Sequence, residues 1–188
     1  MKQAGNLVRL LDMDSEFIID LKYASKNNFT GQQIYSSNQC FIDKNTALLL
    51  IEAKNKAKKK DYKMKIWDAY RPISAQKKFW DLVQDNDFVA YPPDMNTIKE
   101  FKNSHMNGQC VDVTLTNNNG IDLIMPSDFD DFTEKARLDC KNTVGAAREN
   151  AEFLKEIMES SGFTSYEAEW WHFYDRTTTP VKYSDMQL

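Results

Sequence analysis

The sequence predicts an α+β fold, a small antiparallel sheet with flanking helices, formed by residues 1–188 as one domain. Three observations predict it. Several stretches place apolar residues at helical spacing, and others alternate apolar and polar residues at strand spacing. No repeat, low-complexity tract or Pro/Gly-rich linker divides the chain. A length of 188 residues normally supports one domain with one sizeable core. A hydrophobic share of 41%, 12% aromatics, and only 6 Gly and 5 Pro belong to a folded globular protein.

Taken in order, Asp43 or Asn45 caps a helix running to about Lys60, with Ala47, Leu50, Ile51 and Ala57 recurring near helical spacing. Lys63 to Tyr70 alternates charged and apolar residues and then meets Pro72, a strand ending in a turn. Ile73 to Val83 is a second helix, with Phe79, Trp80 and Val83 on its buried side. Asn86 to Lys99, which contains Tyr91-Pro92-Pro93-Asp94, is a loop. Val111 to Thr116 is a strand with Val111, Val113 and Leu115 on one face and Asp112, Thr114 and Thr116 on the other. The turn Asn117-Asn118-Asn119-Gly120 should fold Ile121 to Met125 back as a hairpin. Thr143 to Ser160 is a third helix with the stripe Ala147, Ala151, Leu154 and Met158, ended by Gly162 in a left-handed conformation. A last strand pair spans Phe163 to Tyr174, and polar strand faces should line a cleft.

Bulk properties exclude some functions. A formal charge of −4 argues against a nucleic-acid partner, which needs a concentrated basic face. The run Lys54, Lys56, Lys58, Lys59, Lys60 ends a helix, where cations complement the dipole. Cys40, Cys110 and Cys140 form no paired motif and suit a reducing compartment or free buried thiols, with no disulfide framework. The chain shows no apolar run long enough for a signal sequence or a membrane span, which predicts a cytoplasmic protein with no membrane partner. A periplasmic or secreted chain trimmed of its signal peptide would read the same way. Oligomeric state is not encoded in any pattern here.

The chemistry rests on two histidines, each beside a carboxylate: His105 with Asp112, and Glu169 with His172. Gly108 allows a sharp turn between His105 and the strand carrying Asp112. Strand alternation then turns Asp112 away from the core, where a carboxylate is costly. Imidazole and carboxylate together suit zinc, and His105, Asp112 and His172 as three ligands leave a fourth position for water, the mark of a catalytic site. Glu169 is placed to act on that metal-bound water as a base without being a ligand. Strict alternation puts Glu169 and His172 on opposite faces, so Glu169 must sit in the turn entering the strand, or a bulge must re-aim it. Trp170 and Trp171 either exclude water from the site or simply fill the core. No GxSxG, P-loop, GxGxxG or HExxH motif offers a rival site.

These residues resemble the D-alanyl-D-alanine dipeptidases of the vancomycin-resistance type, within the zinc D,D-peptidases that share a fold with hedgehog domains. Ser104-His105-Met106-Asn107-Gly108-Gln109-Cys110-Val111-Asp112 matches the motif SHxxGxxxD, and EWWHF stands intact at Glu169 to Phe173. Trp67 to Pro72 matches WDxYRP, Tyr23-Ala24 with Asn28 to Gly31 matches YA…NFTG, and Met125 to Phe132 looks like the family's MG(T/S)xFD segment. The matches run in the family's order from about residue 20 to residue 174. The resemblance implies one Zn2+ per chain on His105, Asp112 and His172, Glu169 as general base and acid, and Arg71 stabilising the oxyanion. It implies that Tyr23 and Asp130 receive the substrate's amino group, that Ser104 lies near its carboxylate, and that Tyr35 and Phe79 shape a small pocket. Cys110 stands where the family has Ala or Ser, and Pro126 where it has Gly.

Some roles stay open at this level. Arg71 could form a surface ion pair with Asp68, and Asp130 could cap a helix over Asp131 to Leu138. The implied activity is hydrolysis of D-Ala-D-Ala or a close dipeptide, with a D,D-carboxypeptidase on longer peptidoglycan stems as the alternative. The long insert between Val83 and Ser104 favours a covered dipeptide pocket. A zinc-stabilised binding domain without catalysis and a metal-free interaction domain are the readings from other classes.

Overall fold

The structure is a computed structural model that describes residues 6–85, 89–94, 100–101, 104–177, 179, 181–182 and 184–188. Its main sheet has five strands in the order β2-β4-β6-β8-β7: β2 (Ile18–Ile19), β4 (Tyr62–Asp68), β6 (Cys110–Asn117), β8 (Glu169–Asp175) and β7 (Phe163–Tyr166). All neighbours pair antiparallel except the two-residue β2, which runs parallel to β4, so the sheet is mixed at one edge. Two small pairs flank it, β1 (Leu7–Arg9) with β3 (Phe41–Asp43), and β5 (Glu100–Phe101) with β9 (Val181–Lys182). The helices are α1 (Leu10–Met13), α2 (Lys44–Lys58), α3 (Ile73–Val83) and α4 (Gly145–Glu159).

Capping fixes where α2 starts. Asp43 accepts from the Asn45 and Thr46 amides at 2.9 and 3.4 Å, which makes Asp43 the cap rather than Asn45. Leu50, Ala53 and Ala57 of α2 and Leu154, Ile157 and Met158 of α4 are buried. Thr46 on α2 donates to Asp175 of β8 at 2.9 Å, and Asp175 shares a strand face with Phe173. The helical layer therefore lies on the Val111, Val113, Leu115 and Phe173 side. Gly162 adopts φ +104 beyond α4, as its position predicts.

Three lysines of the run are paired with carboxylates within the fold. Lys54 is buried and pairs with Asp14 and Glu16 at 2.5 and 2.7 Å, Lys58 pairs with Glu16, and Lys56 pairs with Glu52 one helical turn away. Lys60 stands 4.0 Å over the Phe153 ring.

Four expectations change. Strand β6 is central, so both its faces are closed: Asp112, Thr114 and Thr116 are buried like the valines, and the Asp112 end meets a cavity. The hairpin after Gly120 shrinks to a single bridge, Thr116 with Asp122, because Ile121 and Ile124 find nothing to bury against and stay exposed. The segment from Asp131 to Leu138 holds one 3-10 turn, Glu134–Ala136, whose cap is Thr133 and not Asp130. Trp80 and Val83 are half-buried, while Ile73, Ala75, Gln76 and Phe79 form the inner face of α3. Of the loop expected over Asn86 to Lys99, residues 89–94 are irregular and the rest lies outside the described residues.

Candidate metal centre and substrate pocket

Strand register brings two of the three candidate ligands together. Asp112 on β6 lies directly opposite His172 on β8, so both side chains leave the sheet on one face, and Asp112 Oδ1 is 2.9 Å from His172 Nδ1. His105 reaches them from a 3-10 turn, His105–Asn107, that precedes β6. Ser104 caps this turn by accepting from the Met106 amide, and Gly108 at φ +77 turns the chain into β6. A side chain at Gly108 would stand 2.7 Å from the Asp43 nitrogen, so only glycine fits where the turn crosses the start of α2.

His105 is oriented by the residue after β4. Its Nδ1 lies 2.6 Å from the Ala69 carbonyl, which only accepts, so Nδ1 carries a proton and Nε2 is the nitrogen turned toward the other two side chains. That Nε2 is 3.3 Å from His172 Nδ1 and 3.4 Å from Asp112 Oδ2. One ligand atom from each residue lies within 4.8 Å of the other two. Zinc–ligand bonds of about 2.0–2.1 Å in a tetrahedron place neighbouring donors about 3.3 Å apart. The donor types and spacing therefore fit zinc. Burial opposes charge on Asp112, but the two imidazoles outweigh it and hold the carboxylate well below its ordinary range. Burial likewise opposes protonation of His172, and Asp112 reverses that, raising its pKa.

Glu169 opens β8, and of the two ways past strict alternation, a place in the entering turn or a bulge, the strand pair shows an irregularity of register. Ser165 of β7 faces Phe173, yet the next residue, Tyr166, faces Glu169, so Trp170, Trp171 and His172 have no partner on β7. This irregularity swings Glu169 to the same side as His172, with Oε2 3.7 Å from His172 Nδ1. Burial pushes its pKa up, with His172 pulling partly the other way. Trp170 and Trp171 are fully buried, so they fill the core, and Trp171 also lines the cavity.

That cavity, about 260 Å³, joins the histidines, Asp112 and Glu169 to Arg71, Ser104, Tyr23, Phe79 and Asp130. Tyr23 donates to the Asp130 carboxylate at 3.0 Å, and Asp130 holds a left-handed backbone at φ +55. Burial, reinforced by Asp112, pushes Asp130 up to about 8. Arg71 does pair with Asp68, but the pair is internal: Asp68 is wholly buried, and Nε and Nη2 donate to its Oδ2 at 3.0 and 2.8 Å. Tyr35 does not line the cavity. It stands behind the wall, its ring edge-on to Tyr23 and its hydroxyl donating to Asp68 Oδ1 at 2.8 Å. Three contributors escaped the sequence reading. Asp68 was visible in the motif only as an ion-pair partner, Gln76 carries no signal on a helix, and Tyr166, edge-on to His172 at 5.5 Å, carries none on a strand end.

The family model described as D-Ala-D-Ala dipeptidase matches residues 3–187. A D-alanyl-D-alanine dipeptidase of Escherichia coli is 31% identical over 173 residues, covering 92% of this chain and 86% of its own length. One from Enterococcus faecalis is 34% identical over 168 residues, covering 82% and 83%. A solved vancomycin-resistance D,D-pentapeptidase in complex with Zn(II) aligns over 74% of this chain and 75% of its own, at 17% identity and a TM-score of 0.44.

Proposed function

The chain belongs to the D-Ala-D-Ala dipeptidase family, and on that premise we propose that it hydrolyses D-alanyl-D-alanine or a closely related dipeptide, with one zinc ion held by His105, Asp112 and His172. The observation that carries this is the convergence of those three donors beside Glu169, 3.7 Å from His172, inside a cavity of about 260 Å³.

Zinc bound by these side chains supplies Lewis acidity, which acidifies a water and polarises the scissile carbonyl. Glu169 takes the proton of the attacking water and passes it to the leaving amine. Its burial raises its basicity above that of an ordinary carboxylate. Arg71 offers a fixed cation where negative charge develops. Its guanidinium has five N–H groups, of which Asp68 takes two and Gln76 a third, leaving, among the described residues, one on each Nη for the substrate. Asp130, with Tyr23 on its carboxylate, receives the ammonium end, since a cation there stabilises the ionised form that burial disfavours. Ser104 lies toward the carboxylate end, and Phe79 walls the pocket with Tyr35 behind it.

The test is hydrolysis of a stereochemically defined panel of Ala-Ala dipeptides and a pentapeptide ending in D-Ala-D-Ala, with and without chelator. Metal-dependent cleavage of free D-Ala-D-Ala is expected. Preference for the pentapeptide would overturn the dipeptidase reading in favour of a D,D-carboxypeptidase, and full activity after metal removal would overturn the zinc.

A further inference from the structure

Asp68 is more than the ion-pair partner of Arg71. It is wholly buried at the end of β4, directly opposite Asp112, where the register of β4 against β6 shifts between Ile66 and Asp68. That irregularity delivers its side chain into a ring of donors. Oδ1 accepts from the Tyr35 hydroxyl at 2.8 Å and from the Ala69 amide at 3.0 Å, and Oδ2 accepts the Nε and Nη2 fork of Arg71. Gln76 closes the other side, its Oε1 accepting from Nη1 at 2.8 Å while its amide donates to the Ala90 carbonyl at 2.7 Å. The guanidinium also packs over the rings of Tyr23 and Phe79, with its central carbon 5.4 and 5.0 Å from their centroids. A long flexible side chain is thus fixed at three of its five N–H groups before any substrate arrives.

We infer that Asp68 is a positioning residue that aims Arg71: its carboxylate, locked by Tyr35 and the Ala69 amide, sets the direction of the two Nη protons that no described residue takes. The metal side has its own closer anchor: His105 Nδ1 donates to the Ala69 carbonyl at 2.6 Å, and its 3.8 Å approach to Asp68 Oδ2 is an ion pair only with a protonated imidazole, whereas a metal ligand is the neutral ring. Removing the Asp68 charge should therefore slow the reaction and spare metal binding. This rests on the role proposed above for Arg71.

The experiment is a double-mutant cycle on D-Ala-D-Ala hydrolysis with Asp68→Asn, Arg71→Ala and the pair, reading kcat and KM separately, zinc per chain and the melting curve. Arg71→Ala should lower kcat ~10²–10³-fold. Asp68→Asn should lower kcat about 10²-fold through misplacement, with KM and zinc content close to those of the parent. The double variant should be no slower than Arg71→Ala alone, because Asp68 acts only through that arginine. Costs that multiply in the double variant, or a loss of zinc with Asp68→Asn, would overturn the inference while leaving Arg71's role standing. An Arg71→Ala variant with parental kcat would overturn that role itself, and this inference with it. Should Asp68→Asn fail to fold, Tyr35→Phe loosens the same carboxylate without removing its charge. It should cost about fivefold in kcat beside Arg71 and nothing beside Arg71→Ala, and an equal cost in both backgrounds would overturn the inference.

Discussion

Replacing Gly108 with alanine tests how the turn, the α2 cap and the site are tied together. Gly108 sits at φ +77, where a non-glycine residue costs roughly 1–2 kcal/mol. The added Cβ would also lie 2.6 Å from Leu7 Cδ2 and 2.7 Å from the Asp43 nitrogen. Leu7 can swing aside. The Asp43 nitrogen cannot, because it donates to the Gly108 carbonyl at 3.0 Å and belongs to the residue that caps α2. Forcing that contact apart resembles overpacking a core, about 1–3 kcal/mol. The two costs together predict a loss of roughly 2–5 kcal/mol, a fall in melting temperature of about 5–20 °C for a chain of this size. Gly31 is the control: it has φ +65 but nothing within 4 Å of a new Cβ, so Gly31→Ala should cost only the backbone strain, about 1–2 kcal/mol. Thermal or urea denaturation of both variants, followed by circular dichroism, reads the difference. A Gly108→Ala variant that melts no lower than Gly31→Ala would refute the claim that the turn is pinned against α2.

Three further outcomes follow from the site. Glu169→Gln should lower kcat about 10²–10⁴-fold while zinc per chain stays unchanged, and parental turnover in this variant would remove Glu169 from the proton path. Since Glu169 works ionised and burial raises its pKa above 4.5, kcat/KM should fall on acidification through a pKa above that value; an acid limb at or below 4.5, with metal content checked throughout, would contradict the raised base. Stripping the metal should lower the melting temperature by about 5–10 °C, because a ligand at 100 times its Kd adds ~2.7 kcal/mol to the folded state. An unchanged melt on complete removal of the ion would mean that the three donors bind it no better folded than unfolded.

Some of the fold could be read directly from the chain. Helix α3 begins and ends at Ile73 and Val83 as its apolar spacing after Pro72 predicts, and Asp43 caps α2 because a carboxylate before Asn45 and Thr46 meets two orphan amides. The site was legible where local pattern decides geometry: Gly108 as a turn, alternation in β6, and the conflict between Glu169 and His172 that required either a turn position or a bulge. What stayed hidden depends on neighbours far away in sequence. Nothing within Val111 to Thr116 says that this strand lies between β4 and β8, so the burial of Thr114 and Thr116 was not foreseen. The turn at Asn117 to Gly120 is sound, but a hairpin also needs a surface to bury Ile121 and Ile124, and none is there. Tyr35 moved behind the pocket wall, and Asp68 went from a surface partner to a buried support of Arg71, because side-chain networks are set by packing across several elements.

The most direct measurement is metal stoichiometry paired with D-Ala-D-Ala hydrolysis, in the parent chain and in His105→Ala, Asp112→Ala and His172→Ala. About one zinc per chain in the parent is expected, with metal and activity lost together in each folded variant. Zinc retained at parental occupancy after any one of these substitutions, or activity that persists without it, would contradict the single three-ligand centre.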